Sequence, residues 1–162
     1  MGVTYTQGTD VALLDPVDLG RQLVEVVHRE IPWLEAFTEE QAKQTERAGQ
    51  WCAKEVIGHL VDSAVNNLAR IVRLQYEDSP DLPGYDQNAW VKLQSYSKRP
   101  WPEMLALWRT LNEHLGSAVR HIDKAALARK GTLAGSVLTL GFLIEDYIAH
   151  MEHHLRALKP SH

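Results

Sequence analysis

The stretch WCAKEVIGHLVDSAVNNLARIVRL, from Trp51 to Leu74, decides the fold of this 162-residue chain. Its apolar residues recur every three or four positions, which is the spacing that places side chains on one face of an α-helix. We therefore predict a long helix that begins near Cys52 and ends near Glu77. Its apolar face is formed by Val56, Ile57, Leu60, Ala64, Ile71 and Leu74.

The same spacing predicts three more helices. The first spans residues 16–30, with Asp15 as its cap, and should end at the Ile31-Pro32 pair. The third spans residues 102–122, and the last spans 136–158 and should end at Pro160. The proline-containing segment 78–100 is predicted to be a long crossover with a short helix at 87–93.

No segment shows the period-two alternation of a half-buried strand, so we predict no strands. Four helices with one long connection, between the second and the third, are typical of an all-α four-helix bundle. The length suits one hydrophobic core, and no Gly/Ser/Pro-rich stretch divides the chain. We predict a single domain over residues 1–162, with its core at about 16–158.

The composition excludes several classes of function. A net charge of -4, with dispersed Lys and Arg, argues against a nucleic-acid partner. No apolar run is long enough to span a membrane, and the N-terminus lacks an export signal, so we expect a cytoplasmic protein without a membrane partner. Cys52 is the only cysteine, so any metal site must use histidines and carboxylates.

Histidines cluster near the C-terminus, where His150, His153 and His154 fall within five positions. His150 and His154 are one helical turn apart beside the predicted buried stripe, so both rings could bind one ion. His153 lies on the other side of the helix and should face solvent or a partner. Because such pairs are common by chance, a metal site needs a third ligand from another helix.

A strip of polar residues on the second helix provides a candidate ligand, His59. Burying polar groups without partners costs about 2–7 kcal/mol each, so such a strip indicates water, a ligand or a metal nearby. Two simpler interpretations stay open. His59 could be a core-boundary histidine bonded to its neighbours, and Arg70 could form an ion pair with Asp62 or with an acid of the crossover.

Several motifs resemble those of the DinB/YfiT-like superfamily, in which W-[ST]-x-K-E-x-x-x-H-L opens the second helix. The run from Trp51 to Asp62, followed by Arg70, is similar to that signature, although Cys52 replaces the usual Ser or Thr cap. The crossover LPGYDQNAW at 82–90, the pair Trp108-Arg109 and DYIAHMEHHL at 146–155 are similar to later segments of the family. The resemblance covers about residues 17–158.

This resemblance implies a bundle whose helices run up-down-down-up. It also implies a homodimer, since members of the family are often dimers. It also implies a divalent metal, commonly zinc or nickel, held by His59, His150 and His154. Some related proteins join a low-molecular-weight thiol to an electrophile, and others open maleylpyruvate or act as hydrolases. A small-molecule substrate is therefore expected.

Our first hypothesis is metal-dependent transfer of a thiol, because three neutral imidazoles leave a coordination position open for a substrate. The thiol would be a cosubstrate. The candidates to orient an anionic thiol or substrate are Asn66, Arg70, Tyr85 and Arg109.

Two alternatives use the same metal. The first is hydrolysis of an amide or ester, with Asp62 or Glu55 as the base. The second is a metal-binding stress protein without catalysis, which is expected if Tyr85 and Trp90 seal the metal site.

Overall fold

The computed structural model describes residues 4–159 and consists mainly of helices. Four long helices form a bundle, as predicted: α1 (Pro16–Glu35), α3 (Ala53–Tyr76), α5 (Trp101–Arg120) and α6 (Leu140–Leu158). Two shorter helices are α2 (Glu39–Lys43) and α4 (Gln87–Gln94), and three 3-10 turns lie at Val11–Leu13, Tyr96–Lys98 and Lys124–Ala128. Among residues 4–159, no helix is long and apolar enough to cross a membrane.

The helix directions follow from contacts near their ends. Trp101, at the start of α5, donates its indole N–H to the carbonyl of Leu34 at the end of α1, so these two helices are antiparallel. The end of α3 meets the segment before α6, where Arg129 donates to the carbonyl of Leu74 at 2.7 Å. The start of α3 lies beside the start of α5, because Lys54 donates to the carbonyl of Arg99, so these two helices are parallel. The chain therefore runs up-down-down-up, and the long crossover joins α3 to α5.

The helices α1 and α5 approach each other closely at two glycines. A Cβ atom on Gly20 would lie 2.5 Å from the carbonyl oxygen of Gly116, and one on Gly116 would lie 2.4 Å from a methyl group of Val24. Leu23, Trp108 and Leu115 are fully buried in the core.

The first helix is longer than predicted, and a short helix follows it. Helix α1 continues through Pro32 to Glu35, because a proline in the last turn removes only the hydrogen bond to the carbonyl of His28. Thr38 and Gln41 then form a capping box at the start of α2. That box is visible in the sequence, but the five-residue helix is too short to show periodicity.

The prediction that the chain has no strands was wrong. A small sheet contains β1 (Asp81–Leu82), β2 (Lys130–Leu133) and β3 (Ser136–Thr139), with β1 parallel and β3 antiparallel to β2. Ala134 and Gly135 connect β2 to β3 with φ of 50° and 81°, as a tight hairpin turn requires. Helix α6 therefore begins at Leu140 rather than at 136, and Pro160, expected to end it, lies outside the described residues.

Candidate metal centre

Three imidazole rings from two antiparallel helices converge at one point. His59 on α3 and His150 on α6 bring their Nε2 atoms to 3.1 Å. The centroid of the His154 ring lies 4.7 Å from that of His59 and 4.6 Å from that of His150. One nitrogen from each of the three rings lies within 4.8 Å of the other two. These are the three histidines that the sequence predicts as metal ligands.

Local interactions fix the helix that carries His59. The Glu55 carboxylate accepts the backbone N–H of Cys52 at 3.0 Å, which satisfies a free donor at the start of α3. The ammonium of Lys54 is fully buried, where it pairs with Glu39 and donates to the carbonyl of Arg99. The Trp51 ring lies 5.0 Å from the His59 ring and covers one side of it.

Burial keeps the three imidazoles neutral at physiological pH. It lowers the pKa of His59 and His154 to about 4 and that of His150 to about 3, and the neighbouring imidazoles add to each shift. Neutral imidazole is the form that binds a metal ion. The three rings can therefore bind a metal ion without first losing a proton.

These lowered pKa values predict that the metal-free protein loses stability as the pH falls from about 6.5 to about 4. In the unfolded chain the three histidines bind protons near pH 6.5, whereas in the folded protein they stay neutral to about pH 4. The unfolded state then holds more protons, so their contribution to stability is complete above pH 6.5 and is lost below it.

Urea denaturation of chelator-treated protein, at about pH 7.5 and about pH 4.5, measures this loss. The His59→Gln variant lacks one of the three groups, so its midpoint should fall less between the two pH values. Equal falls in the two proteins would contradict the prediction.

The arrangement fits a divalent metal. Zinc binds imidazole nitrogens at about 2.0–2.1 Å, so two ligands of one ion lie about 3–4 Å apart, and the observed Nε2 separation of 3.1 Å is in this range. The Nε2 atom of His59 is the one directed at the shared point, since it is the atom near Nε2 of His150. The buried Nδ1 atom of His59 has no hydrogen-bond partner among residues 4–159. His150 and His154 stay partly exposed, which leaves one side of the site accessible.

An N-terminal segment that sequence reasoning missed reaches this side. The Tyr5 ring lies 4.8 Å from the ring of His150 and 6.5 Å from that of His154. The backbone N–H groups of Tyr5 and Thr6 both donate to one oxygen of Asp146, one turn before His150. No periodic pattern marks residues 4–10, so only the tertiary structure reveals this contact.

The polar strip on α3 continues beyond His59, as predicted. Asn66 donates to the carbonyl of Asp62 at 2.8 Å, and Asn67 donates to that of Ser63 at 2.8 Å. Arg70 is buried, and its guanidinium carbon lies 5.8 Å from the centre of the Tyr85 ring. The ion pair between Arg70 and Asp62 that the sequence left open is absent, since no carboxylate of the described chain is within 4.0 Å of this guanidinium.

Arg109 does not lie beside the three histidines or the polar strip. Its side chain, about half exposed, is 3.8 Å from Glu113 on the same helix. It borders a groove of 440 Å³ that also involves Ile31, Phe37 and Trp101 and includes none of the three histidines.

The two acids considered as bases have other partners. The Glu55 carboxylate is bonded to the start of α3. One oxygen of Asp62 accepts from the hydroxyl of Tyr96 at 2.6 Å and from the amide of Gln94 at 2.7 Å, while the other oxygen is buried without a partner. Burial raises the pKa of Asp62. His153 is exposed, as expected, with its ring 5.3 Å from that of His154.

Comparison with known proteins identifies relatives over most of the chain. The model of the DinB superfamily matches residues 22–158. A protein of Oceanobacillus iheyensis, provisionally named a metal-dependent hydrolase, is 31% identical over 118 residues, which are 72% of this chain and 67% of that protein. YfiT of Bacillus subtilis, with the same provisional name, is 26% identical over 124 residues, covering 75% of this chain and 70% of YfiT.

The solved structure of Bacillus subtilis YfiT has the same fold. It is described as a probable metal-dependent hydrolase with an unusual four-helix bundle topology. The two structures align with a TM-score of 0.82 at 22% identity, over 94% of this chain and 87% of YfiT. The resemblance inferred from the motifs is thus confirmed, and this chain belongs to the DinB superfamily.

Proposed function

We propose that this protein is a metal-dependent enzyme that binds one divalent ion through His59, His150 and His154. The observation that carries the proposal is the convergence of three neutral imidazoles, with two Nε2 atoms 3.1 Å apart. The names of the relatives, which refer to metal dependence, support it. Zinc and nickel both suit three imidazoles, since both accept nitrogen ligands.

Within this proposal the reaction is transfer of a low-molecular-weight thiol to an electrophile. A divalent ion in this site would lower the pKa of a bound thiol or water and so supply a nucleophile at neutral pH. The three imidazoles, being neutral, leave the positive charge of the ion uncompensated. The partly exposed side of His150 and His154, next to Tyr5, would be the side from which a small molecule enters.

The surroundings of the histidines favour a thiol over water as the nucleophile. Metal-dependent hydrolysis commonly uses a side-chain base to take a proton from water. Of the acids next to His59 along α3, Glu55 accepts from Cys52. One oxygen of Asp62 accepts from Tyr96 and Gln94, and its other oxygen is buried. A thiol needs less help, because its pKa of about 8.5 already lies close to neutrality.

Side chains along the polar strip would orient the substrate. Asn66, Arg70 and Tyr85 are close to one another at the α3 face and the crossover, and we propose that they contact an anionic thiol or substrate. Arg109 was predicted to have the same role. Its position in the α1–α5 groove favours the first three residues instead.

Hydrolysis of an amide or ester is the second candidate, and the names of the relatives favour it. A binding protein without catalysis is less well supported. That alternative expected Tyr85 and Trp90 to seal the metal, but their rings pack on each other at 5.2 Å, and two of the three histidines keep exposed surface.

One assay separates these functions. Zinc- or nickel-loaded protein is mixed with a small thiol and monochlorobimane, and in parallel with a panel of esters and amides without thiol. We expect conjugation to be faster with metal-loaded protein than with metal-free protein, and faster than with the His59→Ala variant. Ester or amide cleavage without thiol would favour the hydrolase, and no metal-dependent rate in either arm would contradict both enzymatic functions.

A further inference from the structure

Arg70 on α3 carries a buried positive charge, and no carboxylate among residues 4–159 lies within 4.0 Å of it. Only 7% of the Arg70 surface is exposed. One terminal nitrogen donates to the carbonyl of Pro83 at 2.9 Å, and the other to the amide oxygen of Asn67 at 3.4 Å. The Nε atom is buried and has no hydrogen-bond partner in the part of the chain that the structure describes. Two neutral acceptors therefore serve a guanidinium with five N–H donors.

The other buried cation of the described chain and the buried Glu30 differ from Arg70 in this respect. Lys54 is paired with Glu39, and Glu30 is paired with Arg29 and Lys159. The buried Asp62 has no cation within 4.0 Å among the described residues either, but it accepts from Tyr96 and Gln94. Burying a charge without its counter-ion is costly, and proteins usually avoid it. Burial also lowers the pKa of Arg70, and the group that opposes this shift is the phenol of Tyr85. An energetic cost of this kind is characteristic of sites that bind an oppositely charged ligand.

The position of Arg70 relates it to the histidines. It follows His59 by eleven residues, which is close to three turns, so both side chains emerge from the same face of α3. Their Cα atoms are separated by about 16 Å along the helix axis. Ser63 and Asn67 occupy the intervening turns of this face and are buried polar residues. The strip between the two sites is therefore polar.

The crossover lies over Arg70 through Pro83 and Tyr85. Residues 83–86 have no regular secondary structure. Tyr85 is half-buried with its ring over the guanidinium, and a Cβ atom on Gly84 would meet no heavy atom within 4 Å. An anion could therefore reach the guanidinium if the Tyr85 side chain were displaced, without movement of α3.

We propose that Arg70 recognises an oxyanion, a carboxylate or a phosphate, on the molecule whose other end reacts at the three histidines. The planar guanidinium matches both groups through paired N–H donors, and Asn67 and Tyr85 provide further polar contacts beside it. This inference rests on the proposed function and adds to it the class of substrate. An elongated anionic molecule, with its charge up to about 16 Å from its reacting atom, fits the spacing.

The proposal is tested on metal-free protein, because a bound metal could itself attract anions. Phosphate and succinate are titrated separately while the melting temperature is recorded. At an anion concentration one hundred times its Kd, we expect wild-type protein to melt about 5 °C or more higher. The Arg70→Gln variant should show no shift with either anion. The preferred anion distinguishes a phosphate from a carboxylate ligand.

Arg73→Gln is the matched control, since Arg73 lies on the same helix but is already paired with Glu77. It should keep the full shift. If Arg70→Gln does not fold, Arg70→Lys keeps the charge but loses the paired donors, and its affinity in equilibrium dialysis should fall at least about tenfold. A shift that persists in Arg70→Gln, an unchanged affinity in Arg70→Lys, or no response of wild-type protein to either anion would overturn the proposal.

The outcome is separable from that of the proposed enzymatic function. Anion binding at Arg70 is measured without metal and without turnover. Anion binding together with failure of both activity assays would leave the subsite in place and remove the reaction. If metal-dependent activity is unchanged by Arg70→Gln and by the charge of the substrate, the enzymatic function stays and the anion subsite is removed.

Discussion

Replacing His150 by alanine is expected to remove stoichiometric divalent metal from the protein and to lower its metal affinity by more than a hundredfold. Changes to residues that only support metal ligands cost about 10–100-fold in affinity, so loss of a direct ligand should exceed that range. His150 is central to the cluster, since its Nε2 atom is 3.1 Å from that of His59 and its ring centroid is 4.6 Å from that of His154. Elemental analysis of the isolated protein, followed by a zinc titration, measures both quantities.

The His153→Ala variant is the matched control for this experiment. His153 lies on the same helix, three residues after His150, but it is exposed and does not belong to the three convergent histidines. It should retain the metal. Loss of metal in His153→Ala but not in His150→Ala would show that His150 is not a ligand and that the site uses other histidines.

The second large effect is expected from Gly58→Ala, which should lower the free energy of unfolding by about 3 kcal/mol. A Cβ atom at this position would lie 2.1 Å from a ring carbon of Tyr96. Tyr96 cannot easily move away, because it is buried and its hydroxyl donates to Asp62. Relief of the clash must shift either that ring or α3, which carries His59 at the next position, so metal affinity should fall as well.

Urea denaturation with and without zinc measures the effect of Gly58→Ala. Gly84→Ala is the control, since a Cβ atom there meets no atom within 4 Å, and its effect should stay within about 0.5 kcal/mol. If the two variants are equally stable, the close packing of Tyr96 against α3 is wrong.

The sequence predicts the long helices well because their apolar residues repeat over many turns. The start of α1 at Pro16, after the Asp15 cap, is correct to the residue. Periodicity fails for short elements, such as the two-residue strand β1 and the five-residue helix α2, because neither is long enough to repeat. The hairpin at Ala134 and Gly135 had only the glycine as a signal.

The sequence likewise predicts only part of the candidate site. Helical spacing places His150 and His154 on one face, and the polar strip on α3 singles out His59 and Arg70. Helical spacing does not predict that Tyr5 packs against His150, since that contact joins segments far apart in sequence. It also cannot predict that Arg70 has no carboxylate partner among the described residues, because Asp62 was an equally good candidate until its bonds to Tyr96 and Gln94 were known.

X-ray absorption spectroscopy of the zinc-loaded protein tests the central claim most directly. We predict one zinc per chain with three imidazole nitrogens at about 2.0–2.1 Å and one further light ligand. A spectrum with fewer than three imidazoles, with sulfur from Cys52, or with only oxygen ligands would contradict a metal centre built from His59, His150 and His154.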